Sequence, residues 1–259
     1  MKLPIYQIDA FTNEQFKGNP AAVCPLDEWI SEDVMQHIAV ENNLSETAFF
    51  VKNGEEYELR WFTPEGEIDL CGHATLASAF VIFTYIDQGI NDITFHTKSG
   101  ILEVSKNNNL LTMMFPSREG EKCDAPEALV MGLNKVPTEV YKARDYMAVF
   151  EKEEDILDLE LDMDELKKLD RLGVIVTAKG NKVDFVSRFF APNAGIAEDP
   201  VTGSAHCTLV PYWKLVLQKN DFVARQVSER GGTLYCTDLG DKVRISGEAV
   251  AYLEGMITV

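Results

Sequence analysis

Apolar and polar residues alternate from Leu3 to Phe11, the period of a strand with one buried face. Gly18-Asn19-Pro20 interrupts the pattern, and Ala21-Ala22-Val23-Cys24 begins a second strand. Val34, Met35, Ile38 and Ala39 then recur at helical spacing. Ser31, Glu32 and Asp33 mark the start of that helix, a hydroxyl to accept backbone N–H groups and acids at the positive end. Its end is expected near Asn42 or Asn43. Strands follow at Ala48–Val51 and Tyr57–Phe62, joined by a turn at Asn53-Gly54.

After a break at Thr63-Pro64-Glu65-Gly66, the run ATLASAFVIFTYI has no polar face, and its length and alanine content predict a buried helix. Residues 93–116 read as two or three strands, turning at Ser99-Gly100 and at Asn107–Asn109. Residues 117–172 alternate turns, short strands and helices, with Asp162 and Glu165 at capping-box spacing before LKKL. GVIVTAK, VDFVSRFFA and the C-terminal KVRISGEAVAYLEGMITV are strand-rich.

One pattern occurs twice. Leu59-Arg60-Trp61-Phe62-Thr63-Pro64 resembles Ser187-Arg188-Phe189-Phe190-Ala191-Pro192, and each copy is followed by a glycine opening an apolar helix, Gly72 or Gly203. The offsets, 128 and 131 residues, are close to half of the 259-residue chain. Two copies of one fold are the expectation, with the repeated motifs facing each other across a cleft.

Composition narrows the function. The hydrophobic share of 46% and the charged share of 25% are those of a globular protein. Lys and Arg number 24 against 42 Asp and Glu, a net charge of -18. That excludes non-specific nucleic-acid binding and an anionic membrane surface as partners. It leaves room for a small anionic substrate in a locally positive pocket. Neither an export signal nor a membrane span is expected, and five widely spaced cysteines point to reduced thiols in the cytoplasm.

The polar residues at the breaks are the candidate chemistry. N–H groups after Gly72 and Gly203 could bind a carboxylate, although each glycine could equally serve a tight turn. Asp199 precedes Gly203 in EDPVTGSAH, either as a cap or as a carboxylate able to hold a proton. His73 can donate to a substrate or relay a proton near neutral pH. Glu46 lies between a helix end and an apolar strand, and with His73 and Asp199 it would supply metal-free acid–base chemistry. Cys71 and Cys207 fit either thiol chemistry or packing, and the four histidines show no metal-ligand spacing with the cysteines.

FTNEQFKGNPAAVC, NNLSETAFF, LRWFTPEGEIDLCGHATLASA, FFAPNAGIAEDPVTGSAH, QVSERGG and VRISGEAVAYLEG together resemble the PhzF-like (phenazine biosynthesis-like) family. Diaminopimelate epimerase and proline racemase are its wider relatives. The resemblance runs from the first strand to the last dozen residues and is weakest between about 117 and 180. It implies an α/β (α+β), diaminopimelate epimerase-like fold of two pseudo-symmetric lobes, each a curved mixed β-sheet wrapped around a central helix. The central helices would be 73–86 and about 204–217. Residues 1–116 would form the N-terminal lobe, rejoined by a final strand at about 248–259, and residues 117–247 the C-terminal lobe, with the active site in the cleft between them.

The resemblance also assigns roles. Glu46 would be the principal acid–base residue, assisted by His73 and Asp199, with Gly72, His73, Gly203 and Ser204 binding substrate. No metal or organic cofactor would be needed. The two-thiol epimerases place a second cysteine where this chain has Pro200, so Cys71 would be a remnant or a packing residue. The expected activity is isomerisation of a small carboxylated metabolite by proton abstraction and return, in a cytoplasmic homodimer. An amino-acid epimerase or racemase and a non-catalytic metabolite-binding protein are the alternatives.

Overall fold

The computed structural model describes residues 1–259. The chain divides into two compact units, residues 1–114 with 246–259, and residues 115–245.

Unit 1 begins with β1 (Lys2–Ala10), β2 (Asn19–Leu26), α1 (Glu32–Asn42), β3 (Thr47–Asn53) and β4 (Glu56–Thr63). β5 (Gly66–Ile68), α2 (Gly72–Val81), β6 (Asp92–Thr97), β7 (Gly100–Asn107) and β8 (Leu110–Pro116) follow. Pairing alternates along the sheet: β1–β2 antiparallel, β2–β3 parallel, β3–β4 antiparallel, β4–β6 parallel and β6–β7 antiparallel. Both faces of β2 are buried. Ala22, Cys24 and Leu26 pack with Met35, Ile38 and Ala39 of α1. Ala21 and Val23, on the opposite face by the period of two, are also sealed from water, and α2 packs against this strand. Ser31 caps α1 through its side chain, and Asn43 ends it in a left-handed conformation.

Unit 2 contains β9 (Glu121–Cys123), α3 (Glu127–Leu133), β10 (Glu139–Lys142), β11 (Tyr146–Val149), α4 (Glu153–Leu157) and α5 (Met163–Leu166). It continues with β12 (Val174–Lys179), β13 (Phe185–Phe190), α6 (His206–Leu217), β14 (Asp221–Gln226), β15 (Gly232–Asp238) and β16 (Lys242–Gly247). The same alternation recurs: β10–β11 antiparallel, β11–β12 parallel, β12–β13 antiparallel, β13–β14 parallel and β14–β15 antiparallel. The chain then returns to unit 1 as β17 (Ala249–Thr258), antiparallel to β1.

The duplicated arginines make duplicated contacts. Arg60 donates from Nε and Nη2 to the two carboxylate oxygens of Glu67, both at 2.8 Å, and lies over the Phe62 ring. Arg188 grips Glu198 from Nε at 2.7 Å and from Nη2 at 2.9 Å, over the Phe190 ring. Such forks suit guanidinium geometry, and they tie the strand to the segment leading into each apolar helix.

Two local expectations need correction. The apolar run is not one α-helix over 73–86, because α2 ends at Val81 and Ile82–Ile86 form a π-helical turn. There Asp87 N–H reaches Ile82 O at 2.8 Å, and the Tyr85 ring stacks on Tyr6 with centroids 4.8 Å apart. The second run likewise starts as a 3-10 turn, Gly203–Ala205, before α6. Asp162 does cap α5, but Glu165 does not complete a box. The Asp162 N–H goes to Gly132 O instead, and Glu165 pairs with Lys168.

Candidate active site

In unit 1, the end of β4 and β5 deliver the chain to α2 at Cys71, its N-cap, which supplies no side-chain capping bond. α2 is buried nearly all round, so its first residues stay inside the unit. His73 is 7% exposed and Glu46, at the entry to β3, is also 7% exposed. Their side chains meet: His73 Nε2 lies 2.9 Å from Glu46 Oε2. The contact is at ion-pair distance without the alignment of a directed hydrogen bond. On the other side of the ring, Nδ1 is 3.2 Å from Asn19 Nδ2 and 3.5 Å from Cys71 Sγ. With Asn19 donating to Nδ1, a neutral ring carries its proton on Nε2, toward Glu46.

Burial opposes a charge on His73, but the Glu46 carboxylate 2.9 Å away outweighs it, and the imidazole pKa is held well above its ordinary value. Burial, with Glu46 adding to it, pushes the Cys71 thiol up, so the sulfur is a neutral group and Glu46 is the charge that His73 meets. A carboxylate, an imidazole and a thiol, all buried, can pass a proton among themselves.

Cys71, expected to be a remnant or a packing residue, is buried and touches the imidazole. Sequence spacing gave no sign of a metal-ligand group, but the fold brings one candidate together. Glu46, Cys71 and His73 each present a ligand atom, all within 4.8 Å of one another. These donors fit a soft divalent ion in principle. Glu46 is 25 residues from Cys71 in sequence, and only the fold joins them.

In unit 2, Asp199 accepts a short hydrogen bond from Thr202 Oγ1. Gln226 fastens this loop, accepting from Thr202 N–H at 2.8 Å and donating to Asp199 O at 2.7 Å. Gly203 and Ser204 form the 3-10 turn at the start of α6. His206 is fully buried, with Nδ1 2.9 Å from Thr202 O, and burial pushes its pKa down to about 4. Ser204 Oγ accepts from Arg144 Nη2 at 3.0 Å.

Strand register shows what duplication did to the site. Thr47 pairs with Ala22 and Phe62, and Val174 pairs with Tyr146 and Phe190. The preceding residues match too: Ala22 N–H bonds to Glu46 O at 3.2 Å, and Tyr146 N–H to Gly173 O at 3.0 Å. Gly173 therefore occupies in unit 2 the place of Glu46, and Ser204 that of His73. A Cβ on Gly173 would come within 2.5 Å of Phe189 Cζ and 2.8 Å of Phe190 O, so no side chain fits there. The acid–base pair exists in one copy only.

Sequence reasoning passed over Asn19, Gln226 and Arg144. The first two lie inside quoted motifs, GNP and QVSERGG, but nothing in the spelling says that they reach His73 and Thr202. Arg144 lies where the resemblance is weakest, and no signal marked it.

Residues 8–255 match the family of phenazine biosynthesis-like proteins. The chain belongs to this family. An uncharacterized isomerase of Pseudomonas aeruginosa is 48% identical over 257 residues, covering 99% of both chains. The crystal structure of a PhzF-family phenazine biosynthesis protein from Enterococcus faecalis is 48% identical, covers all of both chains and superposes with a TM-score of 0.98. A hydroxyproline epimerase from Agrobacterium vitis shares the fold, with a TM-score of 0.63 at 8% identity, over 99% of this chain and 92% of that one. Family membership thus agrees with the six motifs, and the fold is the mixed α/β architecture shared with epimerases. No helix is long and apolar enough to cross a membrane.

Proposed function

We propose that this member of the phenazine biosynthesis-like family is an isomerase that moves a proton on a small carboxylated metabolite, with Glu46 as the acid–base residue. The observation that carries the reading is the buried Glu46–His73 contact at the entrance of α2. Relatives named as isomerases support the reaction class. A carboxylate held out of water beside a C–H bond can take a proton and return it, and His73 can bind the substrate or hold the proton between steps. The backbone N–H groups of Gly72 and His73, at an uncapped helix start, suit a developing negative charge. Asp199 is the assisting carboxylate, and Gly203 and Ser204 complete the substrate contacts, on the family resemblance.

Glu46 and His73 provide a base and a proton holder themselves, so the reaction is proposed to need no metal or organic cofactor. The resemblance further supports a homodimer working in the cytoplasm. A second reading, an epimerase using a thiol base, draws on Cys71 Sγ being 3.5 Å from His73 Nδ1. Pro200, where the two-thiol epimerases have their other cysteine, weighs against it.

The test is incubation of the purified protein with a cell metabolite extract in heavy water. Mass spectrometry should find a carboxylated compound that gains deuterium, and metal analysis of the same sample should find no stoichiometric transition metal. An active protein whose exchange vanishes on chelation and returns with added metal would overturn the cofactor-free reading.

A further inference from the structure

At the far end of α2 the two copies have also diverged. Phe83 lies 11 residues after Gly72, and Lys214 lies 11 after Gly203, so they hold the same place in the repeat. The strand residues beside them correspond as well. Asp92 pairs with Ser105, and Asp221 with Thr237. The next residues, Lys106 and Asp238, each donate N–H to an asparagine carbonyl, Asn91 O at 2.7 Å and Asn220 O at 2.9 Å. In unit 2 the two places form an ion pair, Lys214 with Asp238. In unit 1 Lys106 Nζ lies 5.6 Å from the centroid of the Phe83 ring. The lysine stands on the strand instead of the helix, and its partner is a ring instead of a carboxylate. A ring face attracts the charge but takes up no conventional N–H bond, so the three donors of the ammonium stay available.

A cavity of about 340 Å³ opens at this point, wholly within unit 1. Its size suits a small molecule. Phe83 and Leu111, both buried, line it together with Phe80. Lys106 and Glu248 line it too, half-buried and paired neither with each other nor with another charged group. The amides of Asn13, Asn108 and Asn109 are exposed at its rim. Phe83 and Thr84 belong to the π turn, whereas the run in unit 2 stays α-helical through Leu217. Such turns recur at functional sites. Phe83 is ten residues beyond His73, about 15 Å along the helix, so this cavity is not the acid–base site.

We propose that the cavity binds a free α-amino acid with an apolar side chain. Its carboxylate meets Lys106, its ammonium meets Glu248, and its side chain lies against Phe80 and Phe83. Each contact is a charge-assisted hydrogen bond or an apolar one, and each protein group gains the partner that it lacks. An anion alone would leave Glu248 without a cation, and a cation alone would leave Lys106 without a carboxylate. The zwitterion satisfies both. The cavity would take this ligand whatever reaction Glu46 and His73 perform.

L-Phenylalanine is the probe, titrated into the whole chain at neutral pH and constant ionic strength and followed by calorimetry and amide NMR. Wild-type protein should bind it, with shifts at residues 80–84, 106–109 and 248–250. 3-Phenylpropanoate and phenethylamine each lack one of the two charges. Both should bind at least about tenfold more weakly, the scale of losing one charge-assisted hydrogen bond. Lys106→Met, which keeps the stem over the ring, and Glu248→Gln should each weaken L-phenylalanine binding by the same factor. Lys2→Ala, which removes an exposed positive charge of the same unit outside the cavity, should bind as wild type. Unchanged affinity in Lys106→Met and Glu248→Gln would overturn the inference. So would equal affinity for 3-phenylpropanoate, no binding at millimolar ligand, or shifts centred on Glu46 and His73.

Discussion

His73 Nε2 and Glu46 Oε2 stand 2.9 Å apart inside unit 1, although 27 residues of sequence separate them. The Glu46 carboxylate thereby helps to hold the His73 pKa above its ordinary value. Glu46→Gln keeps the size of the side chain and removes both the base and the negative charge. Exchange into the substrate should fall at least about 100-fold, the low end for a lost general base. The His73 imidazole, relieved of that carboxylate, should titrate at lower pH by histidine NMR. Wild-type turnover in a folded Glu46→Gln protein would move the assignment to another base.

Cys71 lies on the other edge of the same ring, and its buried thiol is neutral. Cys71→Ala should therefore keep exchange within about tenfold of wild type, far from the loss expected of a general base. The imidazole titration should shift, because the ring loses a close neighbour. Abolished exchange in a well-folded Cys71→Ala would favour the thiol as base.

Gly173 sits where unit 1 has Glu46, against Phe189 and the Phe190 backbone. Gly173→Ala forces one of them to move. A loss of about 1–3 kcal/mol is expected, as for overpacking elsewhere. Urea unfolding measures it, and an unchanged midpoint would contradict the packing account.

His206 is buried against Phe185 with its pKa pushed down to about 4. The unfolded chain takes up this proton near pH 6.5, the folded one only near 4. Between those values the unfolded state binds more protons, so stability falls as the pH drops from about 6.5 toward 4. The His206 imidazole should stay neutral by NMR down to about pH 4, and the urea midpoint should decline across that window. An imidazole that titrates near 6.5 in the folded protein would contradict the burial argument.

Arg60 and Glu67 give a second pH effect. The Arg60 fork, working against burial and joined by Lys98, holds the Glu67 carboxyl below its ordinary range. A lowered folded pKa stabilises above the unfolded value and is lost as pH falls through the folded one. Glu67→Gln should therefore flatten the decline in stability below about pH 4.3, the unperturbed glutamate value, measured by urea unfolding across pH.

The sequence by itself determined the strands of unit 1, the two apolar helices and the repeat that relates the units. Each of these is written in local periodicity, in turn residues or in copied spelling. Glu46 and His73 were legible because they sit inside motifs shared with a family, not because their spacing shows a contact. Tertiary structure alone decided that Cys71 touches His73, that Asn19 reaches His73, that Arg144 reaches Ser204, and that Gly173 replaces Glu46. These facts depend on strand register and on which neighbours a buried helix end meets, and both are set by pairings between residues far apart in the chain. The π turn at Ile82–Ile86 belongs with them, because a change in helical winding leaves an all-apolar run without any mark in its pattern.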